Sequence, residues 1–285
     1  YVWVDALFNY YTARQIYGKE KWEKHPADLH LTGKDILWFH TVIWPAILLA
    51  LDLPLPIKVF SHGYFTIDGK KMSKTIGNVL DPIALTEKYG TDAIRYAVLR
   101  EFPFGDDGDI SEEKIAQRYK NDLGNELGNL LQRTISMMNK YNVPVMSRDQ
   151  YYTLREYLEN DESVNAEAAV EESMRLLKFD VALKEIWRVA AGGNAFIEEN
   201  KPWALAKEGN LVELEKVLNV VYLRLKKIAK MLAPFMPETA EKMVKQLETL
   251  EAEVLFPRID TEKQETITKK QDTITKKQET INKGQ

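Results

Sequence analysis

The stretch Leu211–Leu232 constrains the fold more than any other part of the chain. Leu211, Leu214, Val217, Leu218, Val221, Leu225, Ile228 and Leu232 recur at helical spacing and make one continuous apolar stripe. Such a helix must bury that stripe against partners. The same periodicity predicts partner helices at Val164–Leu177, Val181–Glu199 and Pro237–Leu250, and a long one from Ser111 to about Tyr141, stopped before Pro144. Several striped helices with short connections make an antiparallel bundle. Asp81-Pro82 reads as an N-cap followed by proline at the first helical position, Gly90 as the stop, and Thr91 as the cap of a further helix to about Arg100.

The first ~100 residues have a different pattern, of the α/β kind. Asp5 is expected to cap a helix to Tyr17, with Gly18 as its stop. Leu29–Thr32 and Ile57–Phe60 read as strands. Between them a helix is expected over Ile36–Leu51, broken by Pro54 and Pro56. Strand, helix, strand in that order implies a right-handed parallel crossover, part of a doubly wound sheet. Two strands alone make a poorly buried sheet. Together with Tyr1 as an unnatural start, this predicts that an N-terminal portion is absent. The fold class is thus a partial Rossmann-like parallel sheet followed by an all-α bundle.

The end of the chain is of low complexity. Lys263–Lys269, Lys270–Lys276 and Lys277–Lys283 read KQETITK, KQDTITK and KQETINK. One isoleucine per heptad is too few for a coiled coil, so a disordered or marginally helical tail is expected.

Composition excludes several classes. The 285 residues contain no cysteine, which removes disulfides and thiolate metal sites and fits a reducing cytoplasm. His25, His30, His40 and His62 are scattered without metal-ligand spacing, so no metal site is expected. The apolar run Ile43–Leu51 is interrupted by Pro45 and too short for a bilayer, so no membrane contact is expected. A net charge of −4 means that any nucleic-acid surface must be local.

Lys70, Lys71 and Lys74 crowd a Gly69-containing loop with Ser73 between two of them. Such a loop can close on a polyphosphate: lysines supply flexible charge, Ser73 and backbone N–H groups neutral donors. The run Lys71-Met72-Ser73-Lys74-Thr75 resembles the nucleotide-binding signature loop of class I aminoacyl-tRNA synthetases. Three further blocks narrow the resemblance: Tyr1-Val2-Trp3-Val4-Asp5-Ala6 with Tyr10; Gly33-Lys34-Asp35-Ile36 with His40 and Trp44-Pro45; and Ser61-His62-Gly63-Tyr64 leading into Asp68-Gly69-Lys70. In that order and spacing they are similar to the methionyl-tRNA synthetase family, over the C-terminal half of its catalytic domain and its anticodon-binding bundle.

The resemblance implies ligation of methionine to tRNA(Met) with ATP and Mg2+ as substrate. It implies methionine contacts from Trp3, Ala6, Tyr10 and His40. Such a pocket suits an apolar, polarizable thioether. Gly33 and Asp35 would bind the ribose, although Asp35 also suits a helix cap. Lys71, Lys74 and Ser73 would stabilise charge on the departing pyrophosphate. Asn129 and Arg133, on one helical face, and Trp203, placed in a loop after Pro202, would read the anticodon. Arg133 paired with a carboxylate and Trp203 in the core are the plainer alternatives. The implied domains are 1–80 (catalytic half), 81–110 (connecting helices), 111–260 (anticodon bundle) and 261–285 (tail). The family's His-Ile-Gly-His element is missing, and the zinc-binding insertion of many members lies outside this segment. The chain alone is therefore expected not to form methionyl-adenylate. A monomer is expected. A class I synthetase for an aliphatic amino acid and a non-catalytic tRNA-binding module are the competing readings.

Overall fold

A computed structural model describes residues 2–17, 27–67, 69–72, 79–159, 161 and 163–259. The expected stop at Gly18, the loop residues Asp68, Ser73 and Lys74, and the heptad tail lie outside the described residues.

The chain forms α1 (Val2–Tyr17), β1 (Leu29–Gly33), a helix passing from 3-10 geometry at Lys34–Ile36 through a π segment at Phe39–Ile43 into α2 (Trp44–Ala50), then β2 (Lys58–His62), β3 (Phe65–Ile67) and β4 (Lys70–Lys71). Next come α3 (Pro82–Tyr89), α4 (Thr91–Glu101), β5 (Gly108–Asp109) and α5 (Glu112–Arg118). A π segment at Tyr119–Gly128 joins α5 to α6 (Asn129–Lys140). A 3-10 turn at Arg148–Leu154 leads into α7 (Arg155–Leu158), α8 (Ala166–Arg175), α9 (Phe179–Asn200), α10 (Pro202–Glu208), α11 (Leu211–Leu232) and α12 (Pro237–Thr249). Among the described residues no helix is long and apolar enough to cross a membrane.

Several sequence expectations need correction. The first helix already runs from Val2, so Asp5 sits inside its first turn, where a carboxylate complements the helix dipole, and is not a cap. Gly33, not Asp35, occupies the N-cap before the 3-10 turn. Thr91 is the first helical residue of α4, with the Gly90 carbonyl accepting from Ile94 N–H. Trp203 lies on a helix, not in a loop: Pro202 takes a first-turn position, where its missing N–H costs nothing, and Gly209 ends the helix in the left-handed conformation. Strands β3, β4 and β5 were not expected, being two or three residues long.

The chain divides into two compact units. The first comprises residues 1–80, 96–115 and 165–186. Here β1 and β2 pair in parallel, Leu29 opposite Lys58 through Gly33 opposite His62, as the crossover requires. A second sheet has the order β4-β3-β5, with β3–β4 antiparallel and β3–β5 parallel. Leu7, Trp44 and Leu48 form a small core, flanked by Tyr10, Tyr11, Phe39 and Ile43.

The second unit, residues 81–95, 116–164 and 187–285, is helical in its described part. Its centre is α11. Seven of the eight stripe residues are completely buried, and only Leu211, in the first turn, is exposed. Two carbonyls of the π segment accept from side chains of α9, with Trp187 Nε1 donating to Asp122 O and Asn194 Nδ2 to Glu126 O. Asp161 is buried against Arg224, which also donates to Gly192 O.

Candidate functional site

In the first unit the π segment turns His40 inward. Its Nδ1 lies 3.0 Å from Ile36 O, an acceptor only, so Nδ1 carries the proton. When His40 is neutral, Nε2 accepts from the Tyr10 hydroxyl at 2.9 Å. Burial raises the Tyr10 pKa, keeping that proton in place. Trp44 is fully buried beneath Tyr10, with ring centroids 5.5 Å apart. Trp3, partly exposed, stacks on Phe39 at 4.2 Å, and Ala6 is half-buried on the same helix as Tyr10. The structure thus brings His40, Tyr10 and Trp44 together, with Trp3 on a ring of the same π segment.

His30 joins this group, which the sequence spacing concealed. Far from scattered, His30 and His40 have ring centroids 5.8 Å apart, and His30 packs on Tyr10 at 4.6 Å. Burial first, and then His40, lower the His30 pKa, which favours the neutral ring. Alternation along β1 buries His30 and Thr32 and leaves Leu29 and Leu31 exposed. No cluster of three or more metal-ligating side chains occurs among the described residues.

At the carboxyl end of β1, Gly33 leaves room for Asp35: a Cβ on it would lie 2.9 Å from Asp35 Oδ1. The Asp35 carboxylate accepts from the Tyr64 phenol, which raises the Tyr64 pKa. Lys34 Nζ reaches both carboxylate oxygens of Asp107 at 2.6 Å. The β3–β4 hairpin places Lys71 opposite Thr66 by its backbone. Ser73 and Lys74 lie beyond the described residues.

In the second unit, Asn129, Arg133 and Trp203 line one groove of about 420 Å³ with Gln132, Ser136, Met137, Lys140 and Tyr141. Trp203 is 41% exposed, so it is not core. Lys201 adopts a left-handed conformation (φ 43°) and turns the chain sharply from α9 into α10, whose first turn carries Trp203. Arg133 does pair with a carboxylate, Glu198 Oε1, at 2.7 Å. Both partners are solvent-accessible, and such pairs contribute only about 0–1 kcal/mol. The guanidinium can therefore exchange Glu198 for another acceptor.

Comparison with known proteins decides the family. Residues 1–135 match the family model for class I tRNA synthetases (M), and residues 162–283 match that for the anticodon-binding domain of tRNA ligases. The methionine–tRNA ligase of Caldanaerobacter subterraneus subsp. tengcongensis is 44% identical over 93% of this chain and 45% of its own length. That of Bacillus subtilis is 41% identical over 93% of this chain and 44% of its own. The chain belongs to the methionyl-tRNA synthetase family.

Among solved structures of this family, Mycobacterium tuberculosis methionyl-tRNA synthetase in complex with methionyl-adenylate superposes with a TM-score of 0.76 at 34% identity, covering 90% of this chain and 56% of that one. The chain spans about half the length of the curated synthetases it matches. Sequence reasoning missed His30, Phe39 and Tyr64 as neighbours of the site. Tyr64 and Phe39 fell inside or beside the motif blocks, so proximity to a motif was the available signal. For His30 there was only its alternation with Leu29 and Leu31.

Proposed function

We propose that this chain supplies part of a methionine–tRNA ligase, binding methionine, Mg-ATP and the anticodon of tRNA(Met). Methionine's carboxylate attacks the α-phosphate of ATP, pyrophosphate leaves, and a terminal ribose hydroxyl of the tRNA then displaces AMP from the mixed anhydride. The chain's contribution is positioning and charge stabilisation, with no nucleophilic side chain. Tyr10, His40, Trp3 and Ala6 form the thioether pocket, Gly33 and Asp35 hold the ribose, and Lys71, Ser73 and Lys74 hold the phosphates. The aromatic and imidazole lining of the pocket favours methionine over a branched aliphatic amino acid. Domains of 1–80, 81–110, 111–260 and 261–285, a monomer, a cytoplasmic location and a zinc insertion outside this segment complete the reading.

One observation carries it: Asn129, Arg133 and Trp203 share one groove, combining an amide, a guanidinium and an accessible indole. Those groups suit unstacked loop bases, edges to the amide and guanidinium and a face to the indole. The test is binding of an RNA stem-loop with a CAU anticodon, measured against loops altered at one anticodon base. Tighter binding of CAU by about tenfold or more is expected, since one lost base contact costs roughly 1–3 kcal/mol. Equal affinities for all loops would remove the anticodon assignment.

A further inference from the structure

We propose that the segment entering and forming β5 is a positioning element, which holds the lysine loop in register with the ribose-binding turn through Asp107 and Asp109. The inference rests on the nucleotide reading above and deepens it.

The two carboxylates flank Gly108 and grip different parts of the site. Asp107 accepts from Lys34, between Gly33 and Asp35, and its Oδ1 also accepts from Tyr64 N–H at 2.8 Å. The Tyr64 phenol in turn donates to Asp35. Asp109 Oδ1 accepts from Gly69 N–H at 3.1 Å and from Thr66 Oγ1 at 3.3 Å. Gly69 has φ +70° and forms the hairpin turn just before Lys70 and Lys71. One carboxylate therefore ties down the ribose side and the other the root of the lysine loop.

The backbone between them is fixed. Gly108 N–H donates to Tyr64 O and Ile110 N–H to Thr66 O, both at 2.9 Å. A Cβ on Gly63 would lie 2.3 Å from Asp106 O, so only glycine lets the two backbone segments approach this closely. Lys114 Nζ backs Asp109, reaching Oδ2 and the main-chain oxygen at 3.0 Å, and lies 3.6 Å from Glu101. The Gly69 N–H and Lys114 hold the Asp109 carboxyl below its ordinary range, so it is charged at neutral pH. ATP must meet both ends of this clamp at once, ribose at one and phosphates at the other. Small errors in their spacing are costly for such a reaction.

The clamp predicts a split between ligands. The dissociation constants of Mg-ATP and adenosine for this chain would be measured by ligand-detected NMR, and amide exchange over residues 64–72 by mass spectrometry. Asp109→Ala should weaken Mg-ATP about tenfold, leave adenosine unchanged and speed exchange at Gly69. Asp109→Asn keeps the Oδ1 acceptor and should restore most of the affinity. Asp107→Ala should weaken both ligands, because it loosens the ribose side. Unchanged Mg-ATP binding in Asp109→Ala, or equal loss of both ligands, overturns the proposal. If the unsubstituted chain binds Mg-ATP no better than adenosine, the phosphate reading of the lysine loop fails. Exchange then still judges the clamp, which is refuted if Asp109→Ala leaves Gly69 protected.

Discussion

The two units solve burial differently. The helical unit encloses its own apolar surface: Leu123, Leu127, Leu130, Leu131, Ile135 and the α11 stripe from Leu214 onward are completely buried. Around β1 and β2 the sheet unit has only the small cluster of Leu7, Trp44 and Leu48 among the described residues, and it leaves Leu31, Leu49 and Ile57 at least half exposed. On β1 the usual order is inverted, with polar His30 and Thr32 inside and leucines outside. A parallel sheet is normally covered on both faces. The difference teaches that the β1–β2 region turns polar groups inward at the candidate site, whereas the bundle turns the apolar stripe of α11 inward and carries its polar groove on the outside. The bundle should therefore unfold at higher denaturant concentration than the sheet unit.

The largest expected effect strikes the bundle. Asp161 and Arg224 form a buried ion pair at 2.8 Å, with side-chain exposures of 1% and 10%. Removing one partner of a buried pair strands the other, at about 3–5 kcal/mol. Asp161→Ala should lower bundle stability by about that much in urea titrations followed by helical circular dichroism. The sheet unit, followed by Trp44 fluorescence in a chain whose other tryptophans are replaced by Phe, should be little changed. Simultaneous loss of both signals would show that the units do not unfold separately.

Next come the two sites. In an intact ligase carrying this segment, Lys71→Ala should slow adenylate formation by about 3 kcal/mol with little change in methionine affinity, because the lost interaction grows in the transition state. Pyrophosphate exchange and methionine binding separate the two. Weaker methionine binding at an unchanged rate would make Lys71 a ground-state residue. In the bundle, Trp203→Ala should weaken the CAU stem-loop by roughly 1–3 kcal/mol while helical content stays constant, since this indole is partly exposed. Unfolding on that substitution would place Trp203 in the structure rather than in recognition.

What could be read from the sequence follows the same division. The bundle was legible because its period runs unbroken: α11 was expected at Leu211–Leu232 and is found there. The parallel β1–β2 pair was legible from strand, helix, strand. The short strands β3–β5 were not, because two or three residues carry no period. Their pairing depends on Gly63, where two backbones meet, a fact of tertiary structure. Trp203 was placed in a loop after Pro202, whereas Pro202 is a first-turn residue of the helix that carries it. Within the site, motif spacing brought out Tyr10, His40 and Asp35. The partners that orient them, Ile36 O, His30 and Tyr64, are reached only through the fold.

The smallest expected effect is also the most specific to the comparison, because acid should reach the two units at different pH. His30 is buried with its pKa lowered from 6.5, first by burial and then by His40. The unfolded chain then binds more protons than the folded one below about pH 6.5, so the sheet unit loses stability as pH falls from there through the folded value. In the bundle, burial tends to raise the Asp161 pKa, but hydrogen bonds from Arg224 and Ser163 outweigh it and hold the carboxyl below 3.8. Its contribution is complete above that value and is lost only as pH falls through the lower folded one. Between pH 6.5 and 5, Trp44 fluorescence in the single-tryptophan chain should therefore report a falling urea midpoint while the helical signal of the bundle holds steady. His30→Phe removes the titrating ring and should flatten the slope of the sheet unit in that window. An unchanged slope in His30→Phe would assign the acid sensitivity to another group, and a parallel fall in the bundle would show that the two units share one acid response.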